Sequence, residues 1–388
     1  MARTGSPLPE TASVVIIGGG VVGVSVAYQL AAAGVSGVVL IDQDAFGSGS
    51  TCKAAGGVRA QFSDRTNILL GLRGLETFAD FTERFGQQID LHRVGYLFLL
   101  DSPEDVRAFE RNVALQNELG VPSRMISVEE ARRLSPLIAT DGLLAAAYSP
   151  EDGYCTPESV VLGYATAARR HGARLIPHCA ATGIETRGGG VTAVVTERGR
   201  IATDTVVCAA GAWSRRIGDW VGVDLPVTPL RRQVLVTEPV PGLDPDTPFT
   251  IDFGASFYFH REGPGLLLGM SDPDETPGFK LTRTDGWLPA LGETIARRTP
   301  GLLDVGIASG WAGLYEMTPD HNALIGEARH VGRFLYATGF SGHGFMMGPA
   351  VGEVVRDLYL GRTPFVDISG FHADRFAAAE TRPELNIV

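Results

Sequence analysis

Ser13-Val-Val-Ile-Ile-Gly-Gly-Gly-Val-Val-Gly-Val-Ser-Val-Ala-Tyr-Gln-Leu30, followed after Gly34 by Val38-Val-Leu-Ile-Asp42, decides the fold of this chain. An apolar run of strand length enters Gly-x-Gly-x-x-Gly. An Ala-rich helical stretch follows, and then a second apolar run ending in an acid. That order is a dinucleotide-binding βαβ unit. Gly18 permits the tight exit from the strand, Gly20 lets backbone N–H groups approach a pyrophosphate, and Gly23 lets the helix lie close on the sheet. The helix start, with Val21 and Val22, offers unpaired N–H groups and partial positive charge to phosphates. Asp42, with Gln43 beside it, is placed to accept hydrogen bonds from an adenosine ribose.

The stretch from Thr11 to Ile41 has no charged residue, a length that would span a bilayer. Glycines interrupt it at Gly18–Gly20, however, and the preceding segment carries both Arg3 and Glu10, where a secretory signal wants a basic start. A membrane span is therefore not expected. The 388 residues exceed one ordinary core, so two interlocked domains are expected. A net charge of −11 argues against nucleic acid or an anionic membrane as partner, which leaves small substrates and cofactors. Cys52, Cys155, Cys179 and Cys208 show no paired-ligand spacing; neither a metal site nor a disulfide framework is expected, and a reducing cytoplasm fits. Lys53 and Lys280 are the two lysines among 33 basic residues.

After a Gly/Ser/Ala-rich loop from Gln43 to Arg59, a helical pattern runs from Arg65 to Phe85, a strand lies at 95–100 and a charged helix near Pro103–Leu119. The turn Ser149–Pro157 caps a helix, Glu158–His171, and Thr205-Val-Val-Cys-Ala-Ala-Gly-Ala-Trp213 returns a buried strand to a small-residue turn. From Val227 to Trp311 alternating strands read as a separate antiparallel sheet. Phe334-Leu-Tyr-Ala-Thr-Gly-Phe-Ser-Gly-His-Gly-Phe-Met-Met-Gly-Pro-Ala350 then supplies a last strand, glycine loop and helix, with Pro349 placed at an early helical position. The tail beyond Pro364 carries no signal.

In that order, Gly18–Gly23, Gly49-Ser-Thr-Cys-Lys-Ala-Ala-Gly-Gly-Val-Arg59, Ala209-Ala-Gly-Ala-Trp213, Thr318-Pro-Asp320 and Gly339-Phe-Ser-Gly-His-Gly344 resemble the D-amino-acid oxidase-like flavoenzymes, and within them the sarcosine oxidase, L-proline dehydrogenase and glycine oxidase branch. The resemblance implies an α/β protein with a discontinuous, Rossmann-like FAD-binding domain (10–90, 145–225 and 312–365), an α+β substrate domain on a mainly antiparallel sheet (91–144 and 226–311), and a tail (366–388). It implies FAD, and oxidation of the C–N bond of a small amino acid or a secondary or N-methyl amine, by hydride transfer to flavin N5 to give an imine. The electron acceptor is O2 or a redox partner. A D-amino-acid or glycine deaminating oxidase and a non-catalytic flavoprotein remain alternatives. The implied cofactor contacts are Gly18, Gly20, Val21, Val22, Gly23, Asp42, Gln43, Ser50, Thr51, Ala55, Gly56, Ala181, Ala210, Gly211, Trp213, Gly339, Gly342, His343, Gly344 and Met346.

Departures matter equally. Relatives tether flavin through a cysteine at the position of Gly313 or a histidine at that of Lys53, so non-covalent FAD is expected. The oxygen-activating lysine falls near Leu267 and a carboxylate-binding lysine at Met346. Arg59 matches the arginine that binds substrate carboxylate, a task suited to its planar fork. Tyr258 and His260 share a strand face and are placed to line the pocket. His343 sits at the flavin edge, where an imidazole donates to the ring or steers protonation. Lys53 is a candidate for charge near the ring.

Overall fold

A computed structural model describes residues 7–377 and 381–387. In chain order the first strands are β1 (Val14–Ile17), β2 (Val38–Ile41), β3 (Gly57–Val58), β4 (Tyr96–Leu100), β5 (Arg124–Ile126), β6 (Ala145–Ser149), β7 (Gly153–Tyr154) and β8 (Arg174–Ile176). A hairpin group follows: β9 (Ala181–Arg187), β10 (Gly190–Thr196) and β11 (Gly199–Ala202). The rest are β12 (Val206–Cys208), β13 (Thr228–Thr237), β14 (Phe249–Asp252), β15 (Phe257–Glu262), β16 (Gly265–Met270), β17 (Ile307–Met317), β18 (Leu324–Glu327) and β19 (Phe334–Thr338). The helices used below are α1 (Val21–Ala32), α2 (Arg65–Ala79), α3 (Phe81–Phe85), α4 (Pro103–Glu118), α5 (Val128–Leu134), α6 (Pro157–Arg170), α7 (Ser214–Asp219), α8 (Leu288–Arg298) and α9 (Gly344–Tyr359).

Strands without polar interruption are buried on both faces, which favours a parallel sheet between two layers. The six-stranded sheet has that form, in the order β18-β19-β12-β1-β2-β8, with only β18 antiparallel to its neighbour. Val14 and Ile16 enter a core shared with α1, α6 and α9, while Val15 and Ile17 meet Ile184, Val194 and Ile201 of the β9–β11 sheet on the other face. Because β1, β12 and β19 run parallel, the turns that follow them, at Gly18, Ala209 and Gly339, open at one sheet edge. Ligands bind at this carboxyl edge in open α/β sheets.

The second sheet is larger than the sequence reading of 227–311. It has eight strands in the order β17-β13-β16-β15-β14-β4-β6-β5, and recruits β4, β5 and β6 from far upstream. Its pairs are antiparallel except β14 with β4. Strand alternation sorts its side chains. Leu97, Leu99, Phe257 and Phe259 pack with Leu291 of α8, and Tyr96, Phe98, Phe249 and Ile251 pack on the opposite face with Phe109 of α4.

Local differences from the sequence reading have local causes. The helical pattern from Arg65 to Phe85 breaks at Asp80 (φ −97°, ψ 7°), which separates α2 from α3. Pro349 lies inside α9, whose first residue is Gly344, so the end of the glycine loop is already helical. The tail also differs from a featureless extension. Arg375 donates to both oxygens of Asp320, at 2.8 Å each, and Glu384 and Asn386 are buried. Among the described residues no helix is long and apolar enough to cross a membrane, and no His/Cys/Asp/Glu group could hold a metal ion. All four cysteines are unpaired.

Candidate active site

A cavity of about 500 Å³ runs from the Gly18 turn past the Ser48–Gly57 loop to the underside of the eight-stranded sheet. At Gly18 (φ +109°) a Cβ would overlap the carbonyl of Ala209, and at Gly23 it would overlap the carbonyl of Gly18, so both positions serve close packing. Gly20 differs: a Cβ there would meet only Thr51 Oγ1, at 3.0 Å, and otherwise face open space. The open side is the cavity. No acid lies in the first turn of α1, and Gly20 gives no side-chain cap. The helix therefore presents its positive end and free N–H groups to the cavity, as a pyrophosphate requires. The start of α9 likewise has no acid and no side-chain cap, with His343 at the N-cap. These features fit FAD, with the phosphates at α1 and the ring system toward α9.

The sequence-selected residues converge here, with three exceptions: Gly23, Gly339 and His260. Gly23 is shielded under α1, and Gly339 is a turn (φ +72°) whose N–H donates to Glu316 Oε2 at 3.0 Å; neither lines the cavity. The other cofactor candidates, with Lys53, Arg59 and Tyr258, all line it. Asp42 is busier than a ribose acceptor needs to be. Its Oδ2 accepts from Gly19 N at 2.6 Å and its Oδ1 from Asp44 N at 2.8 Å, holding the loop, while burial raises its pKa. Thr51 Oγ1 accepts from Val21 N at 3.1 Å and Ser50 donates to Leu314 O at 2.7 Å, so this loop is pinned to both α1 and β17.

Beneath the eight-stranded sheet lies a pocket of phenols and cations. Arg59 is 3 % exposed, its Nη1 donates to Gln61 O, its Nη2 donates to Asn386 O at 2.5 Å, and its Cζ lies 4.2 Å from the Phe62 ring centre. Burial lowers its pKa, offset in part by Tyr96 and by the carboxylates of Glu384 and Asp152. No carboxylate among the described residues pairs with it directly, so a buried positive charge is left facing the cavity. Burial raises the Tyr258, Tyr96 and Tyr315 hydroxyls, which are donors and not bases. His343 is held neutral, its pKa pushed well down by burial and then by the charges of Arg59 and His321. His260 does not join them, because its ring is enclosed between Tyr154 and Phe249, with Nε2 at 2.9 Å from Ala55 O, and burial lowers its pKa to about 4. Leu267 is buried in the sheet away from the cavity.

Gly313 lies on β17 under Lys53: a Cβ at 313 would sit 2.6 Å from Lys53 Cβ, so a tethering side chain has no room. Several cavity residues went unnoticed in the sequence, Tyr96, Arg232, Tyr315 and Glu316 among them. Arg232 and Tyr315 project from β13 and β17, and Glu316, its pKa raised by burial, accepts from Thr338 Oγ1 at 2.9 Å. Arg232 stands in a run of two arginines in an Arg-rich chain, and only the strand register could have marked it.

Fold and cavity together define an α/β protein built around a cofactor cavity between two sheets. The profile of the family described as FAD dependent oxidoreductase matches residues 13–358, and the chain belongs to that family. The solved structure of L-proline dehydrogenase from P. horikoshii is 34% identical, covers 97% of this chain and 100% of its own, and superposes with a TM-score of 0.90. Glycine oxidase from Geobacillus kaustophilus is 26% identical, with 94% and 99% covered and a TM-score of 0.84. Mitochondrial sarcosine dehydrogenase from Mus musculus is 32% identical over 95% of this chain, which spans 42% of that protein. The chain thus covers less than half of that relative.

Proposed function

We propose that this chain uses non-covalently held FAD to oxidise the C–N bond of a small carboxylated amine, a secondary or N-methyl amino acid, with O2 or a redox partner as electron acceptor. The observation that carries the reading is the convergence of buried, carboxylate-free Arg59 with the Tyr258 phenol and neutral His343, at the end of a cavity that begins on the uncapped start of α1. FAD, when bound, supplies the acceptor for the hydride equivalent leaving the carbon beside nitrogen. Gly18, Gly20 and the start of α1 would hold its phosphates, Ser50 and Thr51 would position the loop beside it, and Ala181 and Asp42 would serve its adenosine end.

The remaining work belongs to side chains. Arg59 keeps N–H groups beyond those given to Gln61 and Asn386, and pairs with the substrate carboxylate. Tyr258 and Tyr315 donate hydrogen bonds, and His343, uncharged, leaves the amine free of a competing cation. The low-dielectric walls exclude water from the reacting carbon. Four unpaired thiols support a reducing compartment such as the cytoplasm. The test is anaerobic mixing of the FAD-loaded protein with a panel of sarcosine-like, proline-like, D-amino-acid and glycine substrates, following the flavin absorbance. Bleaching by N-alkyl amino acids is expected. Bleaching by primary D-amino acids alone, or by none, would overturn the reading.

A further inference from the structure

Arg232 and its neighbour differ sharply in company. Arg231 Nε is 2.5 Å from Glu275 Oε2, and Arg231 also donates to Thr282 O at 2.8 Å. Arg232 lines the cavity with its Cζ 5.2 Å from the Tyr315 ring centre. It donates from Nη1 to Arg231 O at 3.2 Å, while its Nε is buried without any acceptor. No carboxylate among the described residues forms an ion pair with it; Glu316, the acid in that wall, is taken up by Gly339 N and Thr338 Oγ1. A buried guanidinium N–H without an acceptor is destabilising, and a ligand anion removes that cost.

The sheet register fixes where this cation stands. Arg232 is paired with Gly313 on β17. The strand order then runs from β13 through β16, β15 and β14 to β4, whose Phe98 ring centre lies 5.4 Å from Arg59 Cζ. Four strand spacings separate β13 from β4, about 19 Å between backbones at roughly 4.8 Å each. Arg232, on β13, and Arg59, beside β4, therefore line one cavity from either side of β15, which carries Tyr258, while Tyr315 on β17 stands beside Arg232. Tyr258 is electrostatically coupled to Arg232, and Tyr315 to both arginines. A single carboxylate satisfies one of these cations and leaves the other without a carboxylate partner.

We propose that Arg232 takes a second anionic group of the substrate, so that the pocket is built for a dicarboxylic secondary amine, one carboxylate on Arg59 and the other on Arg232. This rests on the reading of the pocket as an amine-oxidising site and names its substrate class. The amine nitrogen and the carbon to be oxidised then lie between the two anchors, under the phenols.

The experiment uses the FAD-loaded protein in two arms. In the first, N-alkylglycines are compared with the same amines bearing a terminal carboxylate on the N-alkyl arm, as anaerobic kcat/KM from flavin bleaching. The dicarboxylic amines are expected to be favoured, and Arg232→Gln to reduce that preference on the order of 10²-fold. In the second arm, unreactive thiodiacetate and (methylthio)acetate are titrated against the visible flavin bands of the unmodified protein, which needs neither turnover nor a variant. Tighter binding of thiodiacetate is expected. Equal or better use of monocarboxylic amines, with thiodiacetate bound no more tightly, would overturn the assignment while leaving amine oxidation intact. If neither amine class bleaches the flavin, the proposed reaction falls, and the titration alone decides whether the pocket holds two anions.

Discussion

The two sheets of this molecule build their halves of one cavity by different means. The six-stranded sheet works with backbone: three turns at its carboxyl edge, at Gly18, Ala209 and Gly339, and uncapped helix starts at Gly20 and His343. The eight-stranded sheet works with side chains. Arg232, Tyr258, Tyr315 and Tyr96 come from four strands, β13, β15, β17 and β4, spread over more than 200 residues of chain. Backbone cradles tolerate drift around them and suit a cofactor common to a whole family. A pocket made of side chains from paired strands is retuned by single substitutions and suits a substrate.

The contrast breaks if a cradle substitution spares the cofactor. Gly20→Val is expected to leave a folded protein, because its first side-chain carbon meets only Thr51 Oγ1 at 3.0 Å, yet to weaken FAD retention by at least about tenfold per 1.4 kcal/mol of obstructed contact. Flavin content after gel filtration, beside an unchanged far-ultraviolet spectrum, reads this directly. Gly23→Ala should do the reverse and lower stability, since a Cβ there overlaps the Gly18 carbonyl. The next largest effect is Arg59→Ala, expected to raise KM for a carboxylated amine on the order of 10²-fold through loss of a charge-assisted pair. A decarboxylated analogue should be nearly indifferent, and equal loss for both would make Arg59 a structural residue.

Asp152 sharpens the comparison through pH. Burial raises its carboxyl from 3.8 to about 7, against the N–H of Ala60 and the charge of Arg59, and its Oδ2 has no partner. Between about pH 4 and 7 the folded chain holds a proton that the unfolded chain has released, so stability falls as pH rises through that window. Asp152→Asn lacks this term. Its melting temperature relative to the parent should therefore climb by about a few °C from pH 5 to pH 8; a constant difference would mean that Asp152 does not titrate there.

The smallest effect is expected at Lys53. Its Cβ closes on Gly313, its carbonyl accepts from Trp311 Nε1 at 3.0 Å, and its ammonium has no partner among the described residues. Lys53→Met should slow flavin reoxidation by oxygen a few-fold and leave anaerobic reduction by substrate largely intact. An unchanged oxygen rate at equal FAD content would show that the lysine is a loop residue only.

What the sequence discloses follows the same division. The βαβ unit is legible because Gly18, Gly20, Gly23 and Asp42 fall within one local stretch whose spacing states its purpose, and the helices α4 and α6 follow from periodicity and from prolines at their first helical positions, Pro103 and Pro157. The resemblance carried Ala181 to the cavity, though nothing local marks it, whereas Ala210 and Gly211 are announced by the small-residue turn that follows a buried strand. Arg232 and Tyr315 stay hidden because their place depends on the β13–β17 register. The parallel pairing of β4 with β14 joins segments about 150 residues apart and leaves no periodic trace; the resemblance alone grouped 91–144, with β4 and β5, with this sheet, and β6 falls just outside that span.

The buried tail carries a consequence for the order in which the molecule is completed. Glu384 accepts from Ser63 N at 2.9 Å and from Asn67 Nδ2 at 2.9 Å, and Asn386 O receives Arg59 across 327 residues of chain. Closing so long a loop is slow and comes at a large entropic cost. On the ribosome, the cofactor turn at Gly18 emerges more than 300 residues before Asn386, the acceptor that orients the pocket's cation. A nascent chain halted before residue 384 therefore has its dinucleotide turn and lacks the Asn386 contact to Arg59, so the backbone cradle is complete before the cation is fixed.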